Sequence, residues 1–145
     1  MPYSPLTIPY TEIDSGVSGP ALLVTGAIHG YETCGTVAIQ KWIKAFESGA
    51  VTLKKGAVRF VPICNPKAQD EMVRFIDINL NRIIKMHDEP RLYEEFCANE
   101  IYPHLEWATH VVDLHSYVAD DVPFVFCEKD TPPHLPSPSL RGGRG

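Results

Sequence analysis

ALLVTGAIHGYETCGTVAIQKWIKAFES, residues 21–48, is the stretch whose reading decides the fold. Ala21 to Ile28 is a short apolar run bounded by Gly19-Pro20 before it and His29-Gly30 after it, which reads as a buried strand ending at a polar loop. From Thr33 to Ser48 the period changes. Val37, Trp42, Ile43 and Phe46 give a partial 3–4 residue spacing interrupted by Lys41 and Lys44, and Gly49 can serve as the stop of a helix. Working outward, Gly56 to Asn65 (GAVRFVPICN) returns as a β-branched strand ending at Asn65-Pro66. Residues 66–89 have no clean period and hold several charges, the composition of a long functional loop with room for a turn of helix. A second helical stretch is predicted from Pro90 through Leu92, Phe96, Ile101, Leu105 and Trp107, kinked at Pro103 and giving way to a strand over Val111 to His115. Pro123 to Cys127 (PFVFC) reads as one more strand. Strands alternating with helices predict an α/β fold, a mixed and at least partly parallel sheet flanked by helices. In such sheets ligands gather beyond the carboxyl ends of strands, where His29, Asn65 and His115 fall.

Composition narrows the function classes. At 145 residues, 44% hydrophobic and 21% charged, the chain suits one ordinary globular domain with a sizeable core. A net charge of -5 leaves no basic face able to neutralise several phosphates, so no nucleic-acid partner is expected. Residues 1–10 hold no Lys or Arg followed by an apolar run, and no stretch approaches the ~20 apolar residues of a membrane span, so no membrane partner is expected and a cytoplasmic location is the default. Cys34, Cys64, Cys97 and Cys127 form no C-x-x-C pair and are expected to be buried reduced thiols. Thr131 to Gly145 (TPPHLPSPSLRGGRG) is dense in Pro, Ser, Gly and Arg with two leucines to bury, and is expected to be disordered. The domain expectation is therefore one globular unit over 1–130 and a tail over 131–145.

Three segments carry chemistry. His29-Gly30-Tyr31-Glu32 sets an imidazole and a carboxylate three positions apart at a strand-to-helix junction, where a helical turn brings both to one face. Such a pair suits zinc, and a catalytic zinc takes three protein ligands with a fourth position open. Gly30 lets the loop come close. H-x-x-E alone is a weak signal, since short His/Glu spacings arise by chance. The third donor changes the odds: Val111-Val112-Asp113-Leu114-His115-Ser116 delivers His115 to a strand end, and Asp113, two residues earlier, points to the same face and could fix an imidazole tautomer. Between these segments, Arg74 to Arg82 (RFIDINLNR) packs two arginines and two asparagines into a non-periodic loop suited to oxyanions.

H-x-x-E after the first strand, R-x6-N-R in the middle and D-L-H-S on a later strand resemble, in order and spacing, the succinylglutamate desuccinylase/aspartoacylase branch of the zinc carboxypeptidases. The resemblance spans about residues 21–127. It implies one Zn2+ per chain on His29, Glu32 and His115, Arg74 as the catalytic group that polarises the scissile acyl carbonyl, and Asn81 with Arg82 as the grip on the substrate's free carboxylate. The implied reaction is hydrolysis of an amide in a carboxylate-bearing small molecule, an N-acyl amino acid of the succinylglutamate or N-acetylaspartate kind, with peptides as an alternative substrate. Two departures stand out. Arg82-Ile83-Ile84-Lys85 replaces the Phe that members often carry shortly after the N-R pair. The family's general-base glutamate lies on a strand well downstream of D-L-H-S, whereas Glu128 is the sole glutamate after His115 and comes too soon to match it. The expectation is a chain lacking its carboxyl-terminal part, for which a zinc-binding, catalytically impaired fragment is the rival reading. A Cys34 or Ser116 nucleophile ranks low, with no G-x-S-x-G elbow to support it.

Overall fold

Four strands alternate with helices over residues 3–116, the part of the chain described by the computed structural model. The order is β1 (Thr11–Asp14), β2 (Ala21–Gly26), α1 (Thr33–Glu47), β3 (Ala57–Val61), α2 (Pro66–Asp70), a 3₁₀ turn (Leu80–Arg82), α3 (Tyr93–Trp107) and β4 (His110–Leu114). The expected strand at Pro123 to Cys127, Glu128 and the 131–145 tail lie outside the described residues. No helix among the described residues is long and apolar enough to cross a membrane.

The sheet order is β1-β3-β2-β4, with β2 parallel to both β3 and β4 and β1 antiparallel to β3. The mixed, partly parallel sheet is as expected, and β1 is an addition. Its Thr-Glu-Ile-Asp alternation is short and only half-buried, a pattern that a search for apolar runs passes over. Alternation along β2 builds two cores. Leu23 packs with Ile8, Ile28, Val61, Tyr93, Cys97 and Ile101 under α3. Leu22 and Val24 point the other way, to Ile39, Val58 and Phe60 with α1. The result is a sheet covered by one helix on each face, which is why β2 is apolar at nearly every position.

Two local expectations are corrected, the start of the second long helix and the burial of Cys34. The second long helix starts at Tyr93, not Pro90, because Glu95 Oε2 accepts the Arg91 and Leu92 N–H groups (2.7 and 3.0 Å) and holds Leu92 extended, while Asp77 Oδ2 accepts the Tyr93 N–H (2.8 Å). That helix runs unbroken past Pro103 to Trp107. Among the thiols, Cys64 and Cys97 are fully buried, and burial pushes the Cys97 thiol up to about 12, but Cys34 is exposed on the first turn of α1. Residues 66–89 hold the expected turn of helix twice over, α2 and the 3₁₀ turn; α2 is started by Pro66 and by the Asn65 side chain, which accepts the Ala68 N–H at 3.4 Å.

Candidate metal centre

Parallel pairing of β2 with β4 sets the site's frame. Thr25 lies opposite Asp113 and Gly26 opposite Leu114, so the residues leaving both strands emerge side by side at the carboxyl edge. Strand order reverses around β2, whose connection leads to β3 on one side while β4 lies on the other, the position at which open α/β sheets form a ligand crevice. Ala27, the residue after β2, adopts a left-handed backbone (φ 48°), uncommon for a residue with a Cβ, and turns the chain toward His29. Asn65 and Cys64 fasten that turn by donating their N–H groups to Ala27 and Gly26 carbonyls (3.1 and 2.9 Å).

Two glycines allow the close packing that follows. A Cβ on Gly30 would fall 2.1 Å from the Ala68 carbonyl carbon, so only glycine lets the His29 loop lie against α2. A Cβ on Gly35 would meet the Leu114 side chain at 2.9 Å; its absence lets the first turn of α1 sit on the end of β4 and brings Glu32 to His115.

His29, Glu32 and His115 converge so that one ligand atom of each lies within 4.8 Å of the others. His29 and Glu32 are each 3% exposed. His29 Nδ1 lies 2.6 Å from Glu32 Oε1, and His115 Nδ1 lies 2.9 Å from Glu32 Oε2, so both imidazoles present the same nitrogen to one carboxylate. Their far nitrogens are anchored too. His29 Nε2 is 3.1 Å from the Asn79 amide oxygen, and His115 Nε2 is 2.6 Å from Asp113 Oδ2. Asp113 is held in turn by the Thr25 hydroxyl, which donates to its Oδ1 at 2.7 Å. When a cation takes the Nδ1 lone pair, the acceptor at Nε2 holds the ring proton there. Two imidazole nitrogens and a carboxylate oxygen form a donor set that fits zinc.

The electrostatics of the site follow from this geometry. Burial by itself would raise the Glu32 carboxyl, but hydrogen bonds from His115, His29 and the Ser116 N–H (2.8 Å) outweigh it and hold the group down at about 2. Burial likewise opposes charge on His115, yet its bonds to Asp113 and Glu32 prevail and push it up to about 10.

Of the other residues singled out in the sequence, Arg74 reaches the rim of this cluster: its Nη1 donates to the Tyr31 hydroxyl at 2.7 Å and lies 3.7 Å from Glu32 Oε1. Asn81 and Arg82 are tied to it through Asn79, whose side-chain oxygen accepts the Asn81 N–H (3.0 Å) and whose carbonyl accepts the Arg82 N–H (3.0 Å). Asn81 Oδ1 is buried without a hydrogen-bond partner among the described residues. Sequence reasoning did not assign parts to Thr25, Tyr31, Asn79 or the Ser116 N–H. For Thr25 a signal was present: a hydroxyl in an apolar strand directly before the metal segment.

The sequence pattern of the succinylglutamate desuccinylase/aspartoacylase catalytic domain matches residues 18–135. The chain belongs to that family. Among solved structures it is similar to an aspartoacylase family protein from Mesorhizobium loti, at 28% identity and a TM-score of 0.69 over 77% of this chain and 35% of that one. It is also similar to the product-bound ectoine utilization protein EutE from Ruegeria pomeroyi (31% identity, TM-score 0.61, 75% of this chain and 33% of that one). A third, succinylglutamate desuccinylase from Vibrio cholerae, aligns at 26% identity and a TM-score of 0.60 over 73% of this chain and 34% of that one. The chain thus spans about a third of the length of the solved relatives it matches.

Proposed function

We propose that this chain carries the metal-binding and carboxylate-recognising part of a zinc-dependent hydrolase that cleaves the amide bond of N-acyl amino acids. The observation that carries the reading is the convergence of two Nδ1 atoms and a buried carboxylate, each imidazole backed by an acceptor at Nε2. His29, Glu32 and His115 would hold one Zn2+, with Asp113 orienting His115. Zinc, when bound, supplies an acidified water, with a pKa near ~7, and polarises the acyl carbonyl. Arg74, beside Glu32, is placed to hold negative charge that grows on the carbonyl oxygen, and its planar fork keeps that role at any working pH. Asn81 and Arg82 take the free carboxylate of a substrate such as succinylglutamate or N-acetylaspartate. Family membership supports this substrate class.

Among the described residues the carboxylates that touch the cluster are Glu32 and Asp113, and both are engaged by imidazoles. The proton acceptor for hydrolysis is therefore sought outside residues 3–116. One set of titrations tests the assignment. The wild-type chain should bind one zinc, and His29→Ala combined with His115→Ala should bind none stoichiometrically; full occupancy in the double variant would sink the metal site. In the zinc-loaded chain, Arg82→Lys keeps the charge but loses the fork and should weaken N-acetylaspartate binding. Unchanged affinity in Arg82→Ala would reject the carboxylate role.

A further inference from the structure

Glu94, on the first turn of α3, is fully buried, and no part of the metal cluster touches it. Its carboxylate accepts four hydrogen bonds. Oε1 takes the Asn65 side-chain N–H (3.1 Å) and the Ile76 N–H (2.7 Å), while Oε2 takes the N–H groups of Asp77 (3.0 Å) and Ile78 (3.1 Å). Three consecutive backbone donors turned onto one anion make a nest, which fixes the conformation of the segment that supplies them. The clasp is reciprocal, because the Asp77 side chain accepts the Tyr93 N–H at the start of the same helix (2.8 Å).

The clasped residues lie between Arg74 and Asn79, and the segment's two ends reach the metal cluster. At one end the carbonyls of Val73 and Arg74 accept the N–H groups of Tyr31 and Gly30, within the His29 to Glu32 turn. At the other, Asn79 meets His29 Nε2 and accepts the Asn81 N–H. Asn65 adds a third attachment, because the residue donating to Glu94 is also the one whose N–H fastens the strained Ala27 turn.

We propose that Glu94 is a positioning residue for the substrate: its buried carboxylate sets the distance and orientation of Arg74, Asn81 and Arg82 relative to the His29–Glu32–His115 cluster. The inference rests on the carboxylate-grip reading of Asn81 and Arg82. A group that merely stabilised the fold would change the fraction folded and leave the ligand affinity of the folded, zinc-loaded protein as it was. A positioning group changes that affinity at constant zinc occupancy.

The test uses the full 145-residue chain loaded with zinc, with N-acetylaspartate as the probe, in wild type, Glu94→Gln, Asp77→Ala and Arg82→Ala. In Glu94→Gln the amide NH2 faces backbone N–H donors that lose their acceptor. Affinity should fall about tenfold or more, zinc stoichiometry should stay at one, and amide exchange at residues 76–78 should accelerate. Asp77 is exposed, so Asp77→Ala opens the other half of the clasp while leaving Glu94 and its four donors in place; it should weaken binding in the same direction by a smaller factor, and it decides the matter if Glu94→Gln does not fold. If Arg82→Ala weakens binding while folded Glu94→Gln and Asp77→Ala bind as wild type does, the positioning role is overturned. If Arg82→Ala itself leaves binding unchanged, the carboxylate grip fails and the inference falls with it.

Discussion

Zinc binding by this chain should release protons, and the amount is set by His115. In the metal-free protein the His115 imidazolium donates from Nδ1 to Glu32 and from Nε2 to Asp113, an arrangement that pushes its pKa up to about 10. A cation can take Nδ1 only if that proton leaves. Glu32, held at about 2, is already ionised and contributes none. At pH 7.5 the deprotonated fraction of a group titrating near 10 is on the order of 10⁻² to 10⁻³, so apparent zinc affinity is reduced roughly 10²–10³-fold from its limit at high pH. Log affinity should therefore climb by about one per pH unit between 6.5 and 8.5. The same shifts set the stability of the metal-free chain. The His115 contribution, from a raised pKa, is fully present below 6.5 and is lost as pH rises through about 10; the Glu32 contribution, from a depressed one, is present above 4.5 and is lost as pH falls toward about 2. Isothermal titration at pH 7.5 in Pipes and in Hepes, whose ionisation enthalpies differ, should give apparent enthalpies that differ by that ionisation difference multiplied by about one proton per zinc. Equal enthalpies in the two buffers, with affinity flat across that pH range, would refute the picture of His115 as the charge-bearing partner of Glu32.

The two imidazoles are backed unequally, one by a carboxylate and one by a neutral amide. Asp113→Asn should lower zinc affinity by roughly 10–100-fold and make proton release smaller, and Asn79→Asp should raise it, because a carboxylate at Nε2 makes the ligand nitrogen more basic; competition with a chelator of known affinity measures both. Gly30→Ala should be among the most damaging single changes near the site, since its Cβ would fall 2.1 Å from α2 backbone that cannot swing aside, and a loss of at least about 2 kcal/mol in urea unfolding is expected for overpacking of this kind. An unfolding midpoint equal to wild type would show that α2 yields instead.

Much of the architecture was legible because β2, α1 and β3 are encoded by local pattern. The apolar run at residues 21–28 is buried on both faces, so Thr25 is the one polar side chain in it, and α1 stops at Glu47, two residues before Gly49, as the sequence predicts. The three candidate donors were legible for a related reason: His29 and His115 lie three and one residues beyond strand ends and Glu32 directly precedes α1, so finding these element ends also found the crevice. What local pattern could not carry was β1, whose four residues acquire their strand identity from antiparallel pairing with β3 more than forty positions away. The start of α3 was misplaced for the same kind of reason. Pro90 is a sound local signal, but the acceptors that cap the helix come from the Glu95 and Asp77 side chains.

Glu94 shows where reading from the sequence stops for a site of this type. Its donors are the Asn65 side chain and three backbone N–H groups, and every residue except proline has such a group, so the identities of Ile76, Asp77 and Ile78 record nothing of the contact beyond the absence of proline there. On the helix, Glu94 is one of two adjacent glutamates, and Glu95 also accepts backbone N–H groups, those of Arg91 and Leu92. Burial separates the pair, since Glu94 is inaccessible to solvent and Glu95 is only partly buried. A carboxylate in that setting must be matched by hydrogen bonds or it destabilises the fold. The loop that carries Arg74, Asn81 and Arg82 supplies most of them. The sequence therefore displays the residues that would touch substrate, while the conformation that aims them depends on a glutamate whose partners are almost entirely main chain.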